Sequence, residues 1–570
     1  MQTESFIPGK DASLESTIAT MQVKLAKRGF VLNESSWLNE IEGIWSCHVK
    51  DHECPMLFAN GKGGTELAAR ASALGEFFER LGTHYFWTHF HLGETRANRE
   101  FVHYPQERWF PINEDGDWPQ EILNDELHAF YNPDSEIHAE VLVDLNSGNV
   151  ARGICALPYT RLSDGAQTFF PVNIIGNLYV SNGMAAGNTM MEARAQALSE
   201  IFERHVKYRI IREGLCLPEV PDEVLARFPR IAAGVHGLRK AGFGIMVRDA
   251  SLGGQYPVMC VTLLHPKDQG IFASFGAHPR FEIALERALT ELLQGRALET
   301  LEGFEPPGFD MDEIDAVANL EIHFVDSSGV VHWNFLRDTP DFPFADWNFS
   351  TTTQADYQWL VDAIHREQRQ IYVADFEEQG AYSCRILVPG MSEIYPVADL
   401  EWENNSIGND IRPYLVRLHD LSDTECAQLL EDLQTMNLND ERPLWEILGL
   451  AIPVGTPWKQ LRIGELKTLL ALVVGDREAI LEGCDWIHHF NDLAHSRRMV
   501  YRCIESMLKL EDREDWLRSL ILLYGEESFR QAEALLDGSE RFFGLEPLGV
   551  DMQGSKMHQT LLAAYDKLFA

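Results

Sequence analysis

The sequence predicts an α/β fold of the α+β kind, with three strand, glycine-turn and helix units around one site and an all-α C-terminal domain behind them. Three observations predict it. Residues 63–80, GGTELAARASALGEFFER, return 124 positions later as residues 187–204, GNTMMEARAQALSEIFER, with eleven of the eighteen positions identical. A weaker third copy from Ala284 to Gln294 keeps Ala284, Ala288, Leu289 and Glu291, and has Gln294 where the others have Glu. Beyond residue 411 the apolar spacing is helical throughout.

The elements follow in order. Leu14, Ile18, Met21 and Leu25 share one face of an opening helix, Leu14 to Lys27, which Gly29 stops. The first unit reads as a strand from Met56 to Ala59, a turn containing Gly61, Gly63 and Gly64, and then the helix. On that helix Ser72, Glu76 and Glu79 fall within an arc of roughly 60°, opposite Leu67, Ala71, Leu74, Phe78 and Leu81. The second unit reads as a strand from Ile174 to Val180, a turn with Gly183 and Gly187, and a helix whose polar stripe is Asn188, Glu192, Gln196, Ser199 and Glu203, flanked by Glu200. The third has a strand from Ile271 to Phe275, Gly276, and Arg287, Glu291 and Gln294 at the same spacing of four and three. Between 320 and 390 the pattern turns to strands, as in Gln370–Phe376 and Cys384–Val388. Asn404 to Asp410 reads as a linker. In the helical part Asp476-Arg-Glu478 recurs as Asp512-Arg-Glu514, a spacing of 36 near the tetratricopeptide period of 34, with an irregular helical bundle as the alternative.

Composition narrows the chemistry. The chain has 570 residues with 48 Lys+Arg against 87 Asp+Glu, a net charge of −39 that disfavours direct nucleic-acid binding. No run approaches the roughly 20 apolar residues of a membrane span, and the N-terminus lacks the pattern of a secretory signal. A cytoplasmic protein is expected. Nine cysteines without a C-x-x-C fit a reducing compartment. Cys47, His48, His52 and Cys54 match no common zinc spacing, so they read as core cysteines beside solvated histidines. Asn60 to Thr65, NGKGGT, lacks the leading glycine and the Ser/Thr of a P-loop. No dinucleotide fingerprint, nucleophile elbow or zincin motif is present.

A single acidic stripe is ordinarily a solvated helix face. Three stripes at one phase, each Glu-x-x-Glu pair followed by Arg, suggest a shared site. If the faces converge, Glu76, Glu79, Glu192, Glu200, Glu203 and Glu291 crowd together and require a cation. Mg2+, held by a few carboxylates and by substrate phosphates, answers that need, and Arg80, Arg204 and Arg287 would grip phosphate oxygens. A carboxylate-bridged metal hydrolase is the alternative, disfavoured by the arginines and by the scarcity of histidine at the motifs.

These residues resemble the YcaO family, whose ATP site is marked by S-x3-E-x2-E-R, S-x6-E-x3-Q-x3-E-x2-E-R and R-x3-E-x2-Q. The first motif is present as Ser72, Glu76, Glu79 and Arg80. The second is present as Glu192, Gln196, Glu200, Glu203 and Arg204, with Ala185 at its leading Ser, which removes a hydroxyl that could contact phosphate or magnesium. The third is complete as Arg287, Glu291 and Gln294. Stripes and resemblance together assign ATP to Ser72, Glu79, Arg80, Asn188, Gln196, Arg204, Arg287 and Gln294, with Lys10 added by resemblance alone. They assign Mg2+ to Glu76, Glu79, Glu192, Glu200, Glu203 and Glu291. No catalytic residue is assigned.

The resemblance covers essentially the whole chain. It implies a YcaO-like ATP domain over residues 1–405, a helical, tetratricopeptide-like domain over 411–570, and a homodimer. Better understood members phosphorylate a backbone amide oxygen before a nucleophile attacks; azoline-forming ones commonly end in a Pro-rich tail, whereas this chain ends AYDKLFA. FIPGKDASLE, NIIGNLYVSNGM and the acidic C-terminal half look like the subgroup that serves as accessory factor in methylthiolation of a ribosomal protein. That implies two partners, the ribosomal protein and its radical methylthiotransferase. A nucleotide-binding adaptor without catalysis is the other reading.

Overall fold

The computed structural model describes residues 4–490, 493–511 and 513–569. In chain order its strands are β1 (Leu32–Ile41), β2 (Ile44–Asp51), β3 (Phe58–Gly63), β4 (Arg108–Phe110), β5 (Ile154–Arg161) and β6 (Gln167–Pro171). They continue as β7 (Met184–Gly187), β8 (Gly244–Asp249), β9 (Val258–Leu264), β10 (Ile271–Ala277), β11 (Tyr372–Phe376) and β12 (Tyr382–Leu387). Three antiparallel sheets result: β1-β2-β3, β10-β9-β8, and β4-β5-β11-β12-β7 with β6 beside β5. The helices that organise them are α1 (Leu14–Lys27), α2 (Glu66–Gly82), α3 (Met190–Arg212), α4 (Phe281–Glu291) and α5 (Thr353–Arg366).

The repeat in the sequence is a repeat in space. Each copy leaves the strand bordering its sheet and enters a helix that packs back on it: β3 to α2, β7 to α3, β10 to α4. Thr65 and Thr189, equivalent in the repeat, cap α2 and α3 alike, each accepting at 3.2 Å from the backbone N–H of Ala68 and Glu192. Each helix also leans on a strand of the next unit, α2 on β7, α3 on β10 and α4 on β3. The contacts close a ring.

The glycines of the motifs serve this packing. A Cβ on Gly61 would lie 2.1 Å from the Ala69 carbonyl oxygen and 2.2 Å from the Ala73 nitrogen. One on Gly276 would lie 2.4 Å from the Ala288 nitrogen and 2.5 Å from the Ala284 oxygen, the equivalent pair. Gly61 and Gly63 therefore belong to β3, not to a turn, and neither has a positive φ. Their role is close approach of helix to strand.

Other expectations are corrected. Ile174 to Val180 is not a strand: Val172–Ile174 is helical and runs into a π-helical turn over Ile175–Tyr179. Ile174, Ile175, Leu178 and Tyr179 are all buried, a helical spacing, and the strand of the second unit is β7. On α2 the buried stripe is Ala69, Ala73, Leu74, Phe77, Phe78 and Leu81, while Leu67 and Ala71 are only half-buried. Residues 320–390 hold α5 and the end of a helix, Val317–Val325, as well as β11 and β12. The linker is absent: buried Asn404 donates to the Val141 carbonyl at 3.2 Å and to Asn173 Oδ1 at 3.1 Å, and a helix runs over Gly408–Leu415. Those asparagines bond back to the chain where composition suggested solvation.

From Gly408 onward helices pack around Leu429, Leu433, Leu466, Leu470, Ile480 and Ile504. Asp476 caps a 13-residue helix. Its counterpart Asp512 lies outside the described residues, as does Ala570, and the sequence after it forms a 3-10 turn before an eight-residue helix, Leu517–Tyr524. The spacing of 36 thus joins unlike elements. The last helix, Lys556–Asp566, inserts Leu561, Leu562 and Tyr565 into the N-terminal core beside Phe30 and Trp87. Among the described residues no helix is long and apolar enough to cross a membrane.

Candidate functional site

A cavity of about 570 Å³ opens at the centre of the ring. Every residue assigned to ATP or Mg2+ from the sequence lines it: Ser72, Glu76, Glu79 and Arg80 from α2, Glu192, Gln196, Glu200, Glu203 and Arg204 from α3, Arg287, Glu291 and Gln294 on and just after α4, with Lys10 and Asn188 from the segments ahead of α1 and α3. Ser199, expected on the polar stripe of α3, is instead fully buried and donates to the Ala195 carbonyl at 2.7 Å. Repeat equivalence fixes the arrangement. Ser72, Gln196 and Arg287 hold one position of the repeat, Glu76, Glu200 and Glu291 the next, and Glu79, Glu203 and Gln294 the third.

The acids differ in how they are held. Glu192 is buried and bound by Lys10 Nζ at 3.2 Å, the Asp11 backbone N–H at 3.0 Å and Asn188 Nδ2 at 3.0 Å. Glu203 Oε2 accepts from the Ala277 N–H at 3.2 Å, tying α3 to the end of β10. Glu76 takes Arg80 Nη2 at 2.5 Å, and burial pushes its carboxyl above the ordinary range. Glu79 is pushed well above it, first by burial and then by the charges of Glu200 and Glu76. Burial raises Glu200 as well, against the pull of Arg204. Two carboxyls from different helices therefore resist joint ionisation in this cavity.

Cations face them. Arg204 donates to the Phe324 carbonyl at 2.9 Å, lies over the Phe324 ring at 4.5 Å, stands 3.6 Å from Glu200, and has a buried Nε with no partner. Arg287 donates to the Ala277 carbonyl at 2.8 Å. Ser72 Oγ accepts from the Lys62 N–H at 3.3 Å, and Gln294 donates its amide to the Asn60 carbonyl.

Several lining residues escaped the sequence reading. Lys62 projects into the cavity and pairs with Glu291, so a strand of the first unit meets a helix of the third. Burial lowers its ammonium to about 8. The signal was the alternation of β3, where Asn60 and Lys62 share one face; the dense glycines hid it. Neutral, buried His278, depressed by burial and by Arg287, and the Arg296–Asp326 pair at 3.4 Å also line the cavity, with no motif to mark them. Ala185 does not line it. It is fully buried in β7 at the repeat position of Gly61, facing the core, so the hydroxyl expected there would meet packed side chains rather than phosphate, whereas Ser181 does line the cavity. Among the described residues no three Asp, Glu, His or Cys side chains are grouped closely enough to hold a metal. The acids ring the space without forming a closed cage.

Comparison with known proteins finds relatives over nearly the full length of the chain. The family described as YcaO cyclodehydratase, ATP- and Mg2+-binding, matches residues 60–392, and the YcaO cyclodehydratase C-terminal domain matches residues 408–570. The chain is 49% identical to the ribosomal protein S12 methylthiotransferase accessory factor YcaO of Escherichia coli, over 99% of this chain and 98% of that one. It is 46% identical to an uncharacterized protein of Haemophilus influenzae, over 100% of this chain and 98% of the relative. Among solved structures it is similar to a heterocyclase in complex with substrate and cofactor, at 19% identity and a TM-score of 0.46, over 68% of this chain and 55% of that one. It is also similar to YcaO from Methanopyrus kandleri bound with AMPPCP and Mg2+, at 18% identity and a TM-score of 0.41, over 71% and 96%.

Proposed function

The chain belongs to the YcaO family, whose members bind ATP and Mg2+, and on that premise we propose that it is an ATP- and Mg2+-dependent accessory factor for β-methylthiolation of a small-subunit ribosomal protein. The observation that carries the reading is the ring itself: side chains of all three repeats line one cavity, in a chain similar end to end to an S12 methylthiotransferase accessory factor.

The residues present fit a metal-bound triphosphate. The cavity has the volume of a small-molecule site, typically about 300–1,000 Å³. Glu76, Glu79, Glu192, Glu200, Glu203 and Glu291 would hold Mg2+, and the lack of a closed cage suits an ion that keeps waters and arrives with its phosphates. Arg80, Arg204, Arg287 and Lys10 would hold the nucleotide, with Ser72, Asn188, Gln196 and Gln294 as polar partners; the unpartnered Arg204 Nε is a donor in waiting. ATP supplies, when bound, the phosphoryl group that activates a backbone amide oxygen of the substrate. The chain's own contribution is to fix the donors before the ligand arrives, through Phe324 behind Arg204 and Ala277 behind both Arg287 and Glu203.

Residues 1–405 act as the nucleotide domain and 411–570 as a docking module for the methylthiotransferase, in a cytoplasmic homodimer. The test is to incubate the protein with Mg-ATP, with and without S12 and its methylthiotransferase, and to identify the nucleotide product. Turnover stimulated by the partners is expected. Tight binding without turnover would make the protein an adaptor.

A further inference from the structure

Residues 297–336, between the third motif and the rest of the core, have a composition unlike the remainder. Between Arg296 and Arg337 lie nine acidic residues and no lysine or arginine. Asp315 and Asp326 pair with Arg212 and Arg296; among the described residues the other seven acids have no ion pair. The same stretch exposes large apolar side chains. Phe309 is 80% exposed and stacks on Trp333, itself 45% exposed, with ring centroids 5.8 Å apart. The helix Val317–Val325 buries Asn319, Leu320 and His323, and turns Val317, Ile322 and Val325 to solvent, the last 70% exposed. Apolar surface of this kind, set among unpaired acids, marks an interaction face.

The face is continuous with the cavity. Val325 and Asp326 line it, and the preceding Phe324 is the residue on which Arg204 rests through its carbonyl and ring. Lys207, one turn further along α3, is held by the His323 carbonyl and by Ser327 Oγ at 2.7 Å. The helix Val317–Val325 therefore runs up to the cavity lining, and its last turn supplies the backbone that positions Arg204.

The geometry points to one occupant: a basic polypeptide segment with interspersed apolar side chains, docked on residues 297–336 and led along the helix Val317–Val325 to the cavity. Lysine and arginine ends meet the unpaired acids, and aliphatic stems and side chains cover Phe309, Trp333 and Ile322. The inference rests on the reading above that the substrate is a polypeptide, and it names the chemical class of that polypeptide and the surface that selects it.

The test uses the full chain and two fluorescein-labelled probes, ribosomal protein S12 and a synthetic peptide of alternating lysine and leucine, followed by fluorescence anisotropy. Phe309→Ser with Ile322→Ser removes the apolar contacts. Asp312→Lys with Glu313→Lys reverses the charge. Glu526→Lys with Glu527→Lys makes the same charge change on the helix Glu526–Asp537, which packs within the C-terminal bundle. Both face variants should weaken both probes by roughly tenfold or more, while the Glu526 and Glu527 variant binds as the unaltered protein does and calorimetric Mg-ATP affinity is unchanged in all. Equal binding by every variant, equal loss in the Glu526 and Glu527 variant, or no binding of either probe overturns the docking face. A peptide that binds at the face while S12 does not leaves the face standing and overturns the S12 reading. Light scattering completes the set: a dimer that Phe309→Ser with Ile322→Ser converts to monomers would give this face to a second copy and refute the proposal.

Discussion

Gly276→Ala adds one methyl group and should cost the protein both stability and nucleotide binding. The new Cβ would stand 2.4 Å from the Ala288 nitrogen and 2.5 Å from the Ala284 oxygen, and both neighbours are helix backbone that cannot rotate aside. Ordinary contact begins at 3.4 Å, so α4 must retreat from β10 by about 1 Å, an overpacking cost of about 1–3 kcal/mol. The same retreat carries Arg287 and Glu291 outward, and a shift of about 1 Å in a preorganised site is enough to lose binding by tenfold or more. Gly75→Ala is the internal control. It sits inside α2 with nothing within 4 Å of its Cβ, so alanine there should stabilise the helix by about 0.5–1 kcal/mol. Calorimetric melting of both ligand-free variants, with Mg-ATP titration of Gly276→Ala, gives the comparison. A Gly276→Ala protein that melts and binds like the unaltered one would show that the ring tolerates slack, and would refute the close-approach argument.

Three further outcomes follow from the cavity. ATP should bind far more weakly in excess EDTA than with Mg2+, because the triphosphate otherwise meets six carboxyl groups unaided; equal calorimetric affinity would remove the metal from the site. Glu79→Gln should raise the melting temperature of the ligand-free protein near neutral pH while abolishing its stabilisation by Mg-ATP. The carboxyl of Glu79 is raised in the folded state, so its contribution is full below the ordinary 4.5 and is lost as pH rises through the raised value, and acidifying toward 4.5 should stabilise the unaltered protein more than the variant. Arg287→Lys keeps the charge but loses the two-pronged geometry, and should lose ATP affinity with little change in ligand-free melting; normal binding would reduce Arg287 to charge balance.

The functional faces were legible because the repeat marks them three times. Ser72, Gln196 and Arg287 share one repeat position, so phase alone showed which sides of α2, α3 and α4 look inward. The residues between the helices carried no such mark. Glycine-rich β3 looked like a turn because close packing and tight turning both select glycine, and only the contacts with Ala69 and Ala73 separate the two causes. Ile174 to Val180 looked extended because a buried run of six or seven residues carries both periods. His278 and Asp326 reach the cavity through tertiary folding alone, from segments whose local sequence has no reason to reveal it.

The last helix also bears on the order in which the molecule can be made. Trp87 donates its indole N–H to the carbonyl of Leu561, 474 residues later in the chain, and Tyr565 donates to the carbonyl of Val102. At a synthesis rate of about 5–20 residues per second, the first unit waits roughly 24–95 s for these partners to leave the ribosome. Until then Phe30, Phe77 and Trp87 lack one wall of their core. Completion of the first unit's core is thereby deferred until Tyr565 has been made, and a product truncated before Lys556 would be left with an open first unit for chaperones and proteases to recognise.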